Sequence, residues 1–238
     1  MNINEFNQNG FAVVKQLLNA DELERFHRHF DATINRHTDT PPQDWNFWLF
    51  DNDESILDMI SNPKILDVVE KILGPNIVHI GSHYWVKPPK VGKKVSWHQD
   101  GAYYELSKHK MVTVWVALDD SNISNGCLKV LAGTHKVDYL ELEPVDNDPY
   151  LKRKVKKIPY DVDREIVIEL TAGDVSLHHP NIIHGSDENN SDTWRRGFVI
   201  KYISGDVDIL SKDSWPWAML VRGECKSEIT KKQLVDAF

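Results

Sequence analysis

The residues best suited to chemistry lie in the segment Ser96-Trp97-His98-Gln99-Asp100-Gly101. Side chains at positions i and i+2 of a β-strand point to the same face, so His98 and Asp100 are expected to project together. The imidazole and the carboxylate then supply two ligands for a divalent metal ion. The best candidate for a third ligand is His184, just beyond a strong strand pattern. Two histidines and one carboxylate leave three adjacent coordination positions open, which suits non-haem Fe(II) and oxygen chemistry.

The spacing of His98 and Asp100 is common on surface strands, so by itself it is weak evidence for a metal site. A pair of arginines further along the chain strengthens that interpretation. Arg195 stands eleven residues beyond His184 and is followed by Arg196 and the apolar run of a strand. A buried guanidinium needs an anion, and it holds a carboxylate with two parallel hydrogen bonds. Such a cation suits 2-oxoglutarate, a dicarboxylate whose other end chelates iron. Adjacent strand residues face opposite ways, so we expect one arginine inside and the other outside.

The composition limits the classes of protein that carry such a site. The chain has 238 residues, and its 28 Lys plus Arg against 36 Asp plus Glu give a net charge of -8. That balance argues against a nucleic-acid or anionic-membrane surface, so we expect a small-molecule substrate. Two distant cysteines exclude a disulfide scaffold. With no signal-peptide pattern and no membrane-spanning apolar run, a cytoplasmic location is expected; no oligomeric state is indicated.

Helices are predicted in the first third of the chain and short strands in the rest. Asn19 and Glu22 have the spacing of a capping box for a helix ending near Arg36, and Asn62-Pro63 begins a second helix that stops at Gly74. Many strands without intervening helices indicate an antiparallel sandwich or barrel. The predicted strands are 11–14, 77–86, 94–97, 111–118, 127–131, 165–170, 175–178 and 197–203, with a charged excursion over 137–164.

Several motifs follow one another in order along the chain. They are Asn9-Gly10-Phe11-Ala12-Val13-Val14, Lys87-Pro88-Pro89, Trp97-His98-Gln99-Asp100, Trp115-Val116-Ala117-Leu118-Asp119, Asn125-Gly126-Cys127-Leu128, Gly133-Thr134-His135-Lys136, Gly173-Asp174, His179, His184-Gly185-Ser186 and Arg195. Each is common alone, but the ordered set resembles the phytanoyl-CoA dioxygenase family of Fe(II)/2-oxoglutarate-dependent oxygenases over nearly the whole chain.

The resemblance implies a mainly β fold, with a double-stranded β-helix (a cupin-like jelly roll) at its core and flanking α-helices. We therefore expect one Fe(II)/2-oxoglutarate dioxygenase domain over 1–238. Within it, 1–75 is expected to be a mainly helical support and 76–205 the jelly-roll core. The C-terminal segment 206–238 is a candidate substrate lid.

The resemblance also implies roles for individual residues. It places His98, Asp100 and His184 on the iron ligands, and Arg195 on the anchor of the C5 carboxylate of 2-oxoglutarate, with Arg196 as the alternative. The other residues expected at the cosubstrate are Gln99, Trp115 and Ser186, which match pocket positions of the family; Thr113, which shares a strand face with Trp115; Lys87, which matches a recurrent lysine or else forms a structural salt bridge; and His83, four residues before Lys87 on the same face.

Two adjacent histidines before the distal ligand have different expected roles. His179 is expected in the second shell or the core, because a fourth protein ligand would take a position that 2-oxoglutarate or oxygen needs. His178 points the opposite way and is expected outside the barrel.

The expected reaction is hydroxylation of an unactivated C–H bond by O2, with release of succinate and CO2. Related halogenases replace the carboxylate ligand with a small residue, and Asp100 is present here, so halogenation is not expected. Cyclisation, epimerisation or desaturation by the same iron and cosubstrate stay open. A more remote alternative is a cupin-like metal-binding protein without oxygenase turnover, although such a protein has no use for Arg195 behind the metal.

Aromatic residues near both ends of the chain are candidates for substrate contacts. Trp45 and Trp48 lie in one aromatic cluster, Trp217 lies in another, and Tyr104 follows the Asp100 ligand. Plain core packing is the alternative for each. The chain shows no obvious basic docking surface for a coenzyme A phosphate, with the lysine-rich stretch 151–157 as the one exception. That stretch is either a solvated loop or a contact for an acidic carrier protein or a phosphorylated substrate. A small molecule or natural-product intermediate is therefore favoured over phytanoyl-CoA as substrate.

Overall fold

The computed structural model describes residues 1–45, 54–146, 148, 150–158, 165–211 and 218–235. Trp48 and Trp217, two of the expected substrate contacts, lie outside the described residues. The helices are α1 (Ile3–Asn9), α2 (Ala20–Arg36), α3 (Glu54–Ile60), α4 (Pro63–Leu73) and α5 (Glu228–Lys231). The strands are β1 (Phe11–Val14), β2 (Ile77–Lys87), β3 (Val95–His98), β4 (Met111–Ala117), β5 (Leu128–Leu131), β6 (Leu142–Pro144), β7 (Arg153–Val155), β8 (Glu165–Ile168), β9 (Val175–His178), β10 (His184–Ser186), β11 (Arg195–Ser204) and β12 (Met219–Arg222).

Two antiparallel sheets form the walls of a jelly roll, which confirms the expected fold class. The major sheet has the strand order β1-β9-β4-β11-β2-β12, and the minor sheet has the order β3-β10-β5-β8. Every predicted strand is present, with ends shifted by at most two residues. The short strand β10 was not predicted; it lies between β3 and β5 in the minor sheet.

The major sheet extends beyond the range 76–205 expected for the core. β1 pairs with β9, and β12 pairs with the start of β2, so both ends of the chain contribute strands. The short helix α1 was also not predicted; it is capped by the side chain of Asn2 and ends at Gly10, whose φ of 84° favours glycine. The strands at the two ends therefore belong to the barrel wall.

Side-chain alternation on the central strands separates the helical layer from the barrel interior. The capping box of Asn19 and Glu22 is present at the start of α2. From α2, Phe26 contacts Phe198 of β11 at a ring-centroid distance of 5.3 Å, so the even-numbered positions of β11 face the helices. The odd-numbered positions of β11 consequently face the interior, where His83 and Trp85 of β2 join them. No helix in the described ranges has the length and apolar character needed to cross a membrane.

Candidate active site

Three side chains converge at one end of the barrel interior in an arrangement suited to a metal ion. The ligand atoms of His98, Asp100 and His184 lie within 4.8 Å of one another, and all three residues are buried. His98 and His184 are cross-strand partners on β3 and β10, with ring centroids 4.0 Å apart. Asp100 lies just beyond β3 in a 3-10 turn, but Gln99 keeps an extended backbone. The expected alternation therefore persists, and Asp100 faces the same side as His98.

Backbone carbonyl groups orient both histidines. Nδ1 of His98 donates to the carbonyl of Ser96 at 2.9 Å, and Nδ1 of His184 donates to the carbonyl of Ile182 at 3.0 Å. Because a carbonyl only accepts, each Nδ1 carries the proton and each Nε2 presents a lone pair. Burial lowers the pKa of His98 and places that of His184 well below its ordinary value, so both rings are neutral. Neutral imidazole is the form that binds a metal.

The two oxygens of Asp100 have separate partners. Oδ2 accepts hydrogen bonds from Oγ1 of Thr113 at 2.6 Å and from Nε2 of His178 at 3.2 Å. Oδ1 faces the ligand histidines, 3.7 and 3.9 Å from their Nε2 atoms. Burial alone would raise the pKa of Asp100, but Lys201 and the hydrogen bond from His178 outweigh it and hold that pKa well below its usual range. Asp100 is therefore a carboxylate whose Oδ1 is directed at the metal position.

His178, rather than His179, supports the metal ligands, so the expectation that His178 lies outside the barrel is wrong. On β9, Val175 and Leu177 pack in the core beneath the helices, which turns His178 inward. The ring of His179 lies away from the metal ligands, 5.3 Å from that of His135. The alternation of Val175 and Leu177 is the sequence pattern that could have identified the inward residue.

The adjacent arginines face opposite sides of the sheet. Arg195 is buried at 3% exposure, its guanidinium lies 5.6 Å from the ring centroid of Trp115, and its Nη1 donates to the carbonyl of Trp85 at 3.3 Å. Arg196 instead makes a two-pronged contact with Asp119, with distances of 2.8 and 2.7 Å. Arg195 is thus the arginine that faces the interior.

The environment of Arg195 fits a carboxylate ligand. Its Nε is buried and has no hydrogen-bond partner among the described residues. Burial lowers its pKa to about 10, so the guanidinium stays charged at neutral pH. A buried cation with an unused donor is costly unless an anion completes it. The C5 carboxylate of 2-oxoglutarate is such an anion, and the donor set of the triad likewise fits Fe(II).

A cavity of about 460 Å³, called the inner cavity below, connects the triad to Arg195. Among the residues expected at the cosubstrate, those that line it are His83, Thr113, Trp115, Ser186 and Arg195. The remaining lining residues are Trp85, Val95, His98, Asp100, Leu128, His178, His184, Gly185, Val199 and Lys201.

Gln99 and Lys87 do not line the inner cavity, in contrast to the expectation for Gln99 and to the first of the two expectations for Lys87. Gln99 donates to the carbonyl of Asn181 at 2.7 Å and accepts from the backbone of Leu140 at 2.8 Å, because its side chain faces away from the two metal ligands that flank it. Nζ of Lys87 donates to Oγ of Ser186 at 2.7 Å and to the carbonyl of Asp187. Burial, followed by the neighbouring Arg195, lowers the pKa of Lys87 to about 6. Both residues tie loops to the barrel wall.

Gly197 allows Trp115 to form one wall of the inner cavity. The indole of Trp115 lies across Gly197 on the neighbouring strand, and a Cβ at that glycine would lie 2.2 Å from the ring. Because Gly197 has no side chain, the indole of Trp115 has room to lie close to Arg195.

A second cavity of about 700 Å³, called the outer cavity, adjoins the first. The two share His83, Trp85, His98, Asp100 and Lys201, and the outer cavity adds Trp45, Tyr103, Tyr104, Tyr150 and Leu151. Of the expected substrate contacts, Trp45 and Tyr104 therefore line it. Tyr150 stacks on Trp85 with ring centroids 4.9 Å apart.

Trp85, Tyr150 and Lys201 are lining residues that the sequence did not identify. Trp85 follows His83 at i+2, and Lys201 follows Arg195 at i+6, so strand alternation could have found both. Burial alone would lower the pKa of Lys201, but Asp100 and Tyr104 outweigh it and hold that pKa above its ordinary value. Lys201 is therefore an ammonium ion inside the barrel.

Comparisons with known proteins agree with this geometry. The sequence model of the family described as "Phytanoyl-CoA dioxygenase (PhyH)" matches residues 6–197. Peroxisomal phytanoyl-CoA dioxygenase of Mus musculus is 32% identical over 235 residues, covering 86% of this chain and 68% of the mouse protein.

Solved structures of similar fold include a protein described as the non-heme monooxygenase ThoJ, in its apo form. It has a TM-score of 0.75 at 26% identity and covers 92% of this chain and 83% of that one. The epimerase SnoN, solved with Fe3+ and alpha ketoglutarate, has a TM-score of 0.72 at 18% identity and covers 88% of this chain and 85% of SnoN. At that identity the likeness to SnoN concerns the fold alone.

Proposed function

The chain belongs to the phytanoyl-CoA dioxygenase family, whose chemistry depends on iron and 2-oxoglutarate, and from that premise we propose that it hydroxylates an unactivated C–H bond of a small molecule. O2 is the co-oxidant, succinate and CO2 are the co-products, and one domain over 1–238 carries the activity. The observation that carries the proposal is the inner cavity, which has a neutral histidine pair with a carboxylate at one end and a buried arginine donor at the other.

The metal-binding end holds its ion through three atoms. Nε2 of His98, Nε2 of His184 and Oδ1 of Asp100 face one another, and their other polar atoms are already hydrogen bonded. Iron and 2-oxoglutarate bound there supply the oxidation of the C–H bond by O2. The protein's own part is to orient these ligands in advance, which lowers the cost of assembling the site.

The cosubstrate end holds the far carboxylate of 2-oxoglutarate. Arg195 offers its unused Nε and the rest of its planar guanidinium, which matches a carboxylate in two parallel hydrogen bonds. Trp115 covers the guanidinium from one side, and the low exposure of both residues excludes water. Burial strengthens the ion pair, because the effective dielectric constant is lower than in water.

The outer cavity is the proposed substrate site. It opens beside His98 and Asp100, and its other walls are mainly aromatic, with Trp45, Tyr104 and Tyr150 among them. Aromatic walls with few polar groups are typical of sites for small organic ligands. A substrate held there has its reacting carbon next to the metal position.

Two features bear on the type of oxidation. Asp100 keeps a protein ligand at the position that halogenases vacate, which favours hydroxylation over halogenation. Epimerisation is a second outcome to consider, because the similarly folded SnoN is described as an epimerase. The product, identified by mass and stereochemistry once a substrate is found, distinguishes the two: hydroxylation adds one oxygen atom, whereas epimerisation leaves the mass unchanged.

An anaerobic titration tests the cosubstrate site directly. Metal-stripped protein receives Fe(II) and then 2-oxoglutarate, and the visible charge-transfer band of the chelate is followed. We expect a band in the parent protein and a need for at least about tenfold more 2-oxoglutarate in Arg195→Ala, because a charged hydrogen-bonded pair is lost. Arg196→Lys is the matched control and should titrate like the parent. Absence of a band from the parent protein would overturn the oxygenase proposal.

A further inference from the structure

Lys201 places a cation between the metal ligands and the outer cavity. Its side chain is 8% exposed, and Nζ lies 3.3 Å from Oδ1 of Asp100. Nζ also lies 5.0 Å from the ring centroid of Tyr104, on the outer-cavity side. Lys201 lines both cavities, so its charge acts on whatever occupies either of them.

A metal ion competes with Lys201 for the same oxygen. Oδ1 of Asp100 also faces Nε2 of His98 and Nε2 of His184, so it is the oxygen that the ion would take. An ammonium beside a divalent cation is repelled, and the repulsion is strong in a buried site. The lysine side chain has a flexible four-carbon stem, which allows Nζ to turn toward Tyr104 and the outer cavity.

The charges of the site favour an anion there. Asp100 is the single carboxylate among the described residues that line the two cavities, whereas Arg195 and Lys201 are both cations. Fe(II) and 2-oxoglutarate, bound together, add equal and opposite charge. With both cations protonated, the lining residues of the loaded site carry one net positive charge, which a negatively charged group in the outer cavity would compensate.

Resting on the function proposed above, we propose that Lys201 binds a carboxylate group of the substrate in the outer cavity. The enzyme then selects small organic acids that join this group to an apolar or aromatic body. The body is held by the aromatic walls, among them Trp45, Trp85 and Tyr150. Lys201 is a specificity-determining residue in this proposal, distinct from Arg195, which serves the cosubstrate.

A binding experiment with two matched probes tests this role without turnover. Protein loaded with Mn(II) and saturating 2-oxoglutarate is titrated by calorimetry with 3-phenylpropionate and with 3-phenylpropan-1-ol, which share one skeleton and differ in charge. The variants are Lys201→Met, which removes the charge, and Lys201→Arg, which keeps it. Lys110→Met is the matched control, because Lys110 is an exposed lysine that precedes β4 and pairs with Asp206. Thermal unfolding and 2-oxoglutarate affinity are measured on the same samples.

We expect the acid to bind the parent, Lys110→Met and Lys201→Arg proteins about tenfold more tightly than the alcohol. In Lys201→Met that preference should disappear while 2-oxoglutarate still binds. A preference that survives in folded Lys201→Met overturns the proposal, and so does a parent protein that binds both probes equally or binds neither. Failure of 2-oxoglutarate to bind the parent protein would instead overturn the proposed function, so the two failures are distinguishable.

Discussion

Thr113 and Asp100 are joined by a 2.6 Å hydrogen bond between the threonine hydroxyl on β4 and Oδ2 of the carboxylate. The bond crosses from the major sheet to the turn after β3 in the minor sheet, so it links the two walls of the barrel at the metal site. Because Oδ2 is occupied in this way, Oδ1 is the oxygen left to face the ligand histidines.

Removing the hydroxyl of Thr113 should weaken metal binding. In Thr113→Val the shape is kept but the carboxylate loses a donor, so we expect Mn(II) affinity to fall by about tenfold or more. Thr113→Ser restores the donor and should retain most of the affinity. Electron paramagnetic resonance of free Mn(II) measures both variants, and equal affinity in Thr113→Val and the parent protein would contradict this role.

The two adjacent histidines should respond differently to the same substitution. His178→Leu removes the second donor to Oδ2 of Asp100, so Mn(II) affinity should fall by about tenfold. His179→Leu alters a ring that packs against Phe6 and His135, and it should leave Mn(II) affinity unchanged. The same Mn(II) titration measures both, and the reverse order of effects would show that the inward residue has been misassigned.

The parts of the site that the sequence predicted depend on local alternation. His98 and Asp100 share a face because the backbone between them is extended, and Arg195 and Arg196 face apart because they are neighbours on a strand. The same alternation places Lys201 on the face of Arg195. To predict which residues share a face, it is enough to locate the strand correctly and to know which of its faces is apolar.

The parts that the sequence did not predict depend on contacts between distant segments. Tyr150 reaches Trp85 from the long excursion, where no periodic pattern fixes the path of the chain. Gln99 was expected at the cosubstrate, but its amide binds the backbone of Asn181 and Leu140. For Gln99, strand alternation predicts the face but not the hydrogen-bond partners, which the tertiary fold sets. For Tyr150 neither the face nor the contact could be inferred from the sequence.

A methyl group at Gly197 should weaken 2-oxoglutarate binding. The added carbon would meet the indole of Trp115 and push it away from its place beside Arg195. Because the displaced indole no longer covers the guanidinium that binds the cosubstrate carboxylate, we expect 2-oxoglutarate affinity to fall by about tenfold in Gly197→Ala.

The anaerobic titration of the charge-transfer band measures this loss, and a second substitution serves as its control. Trp115→Phe shortens the ring, so the double variant should bind 2-oxoglutarate more tightly than Gly197→Ala alone. Additive losses in the double variant would mean that the glycine does not act through the indole.

Asp174 should make the free energy of unfolding depend on pH in the acid range. Burial alone would raise its pKa, but Lys15, the backbone amides of Gln16 and Thr171, and the hydroxyl of Thr171 outweigh it and lower the pKa to about 2. In the unfolded chain its pKa is about 3.9, so the stabilisation is fully present above that pH and is lost as the pH falls through about 2.

Asp174→Asn should therefore lower the free energy of unfolding by about 2 kcal/mol at pH 7. Urea unfolding between pH 3 and 7 measures the difference between the two proteins, which should begin to shrink below pH of about 4; a difference that stays constant with pH would exclude Asp174 as the titrating group.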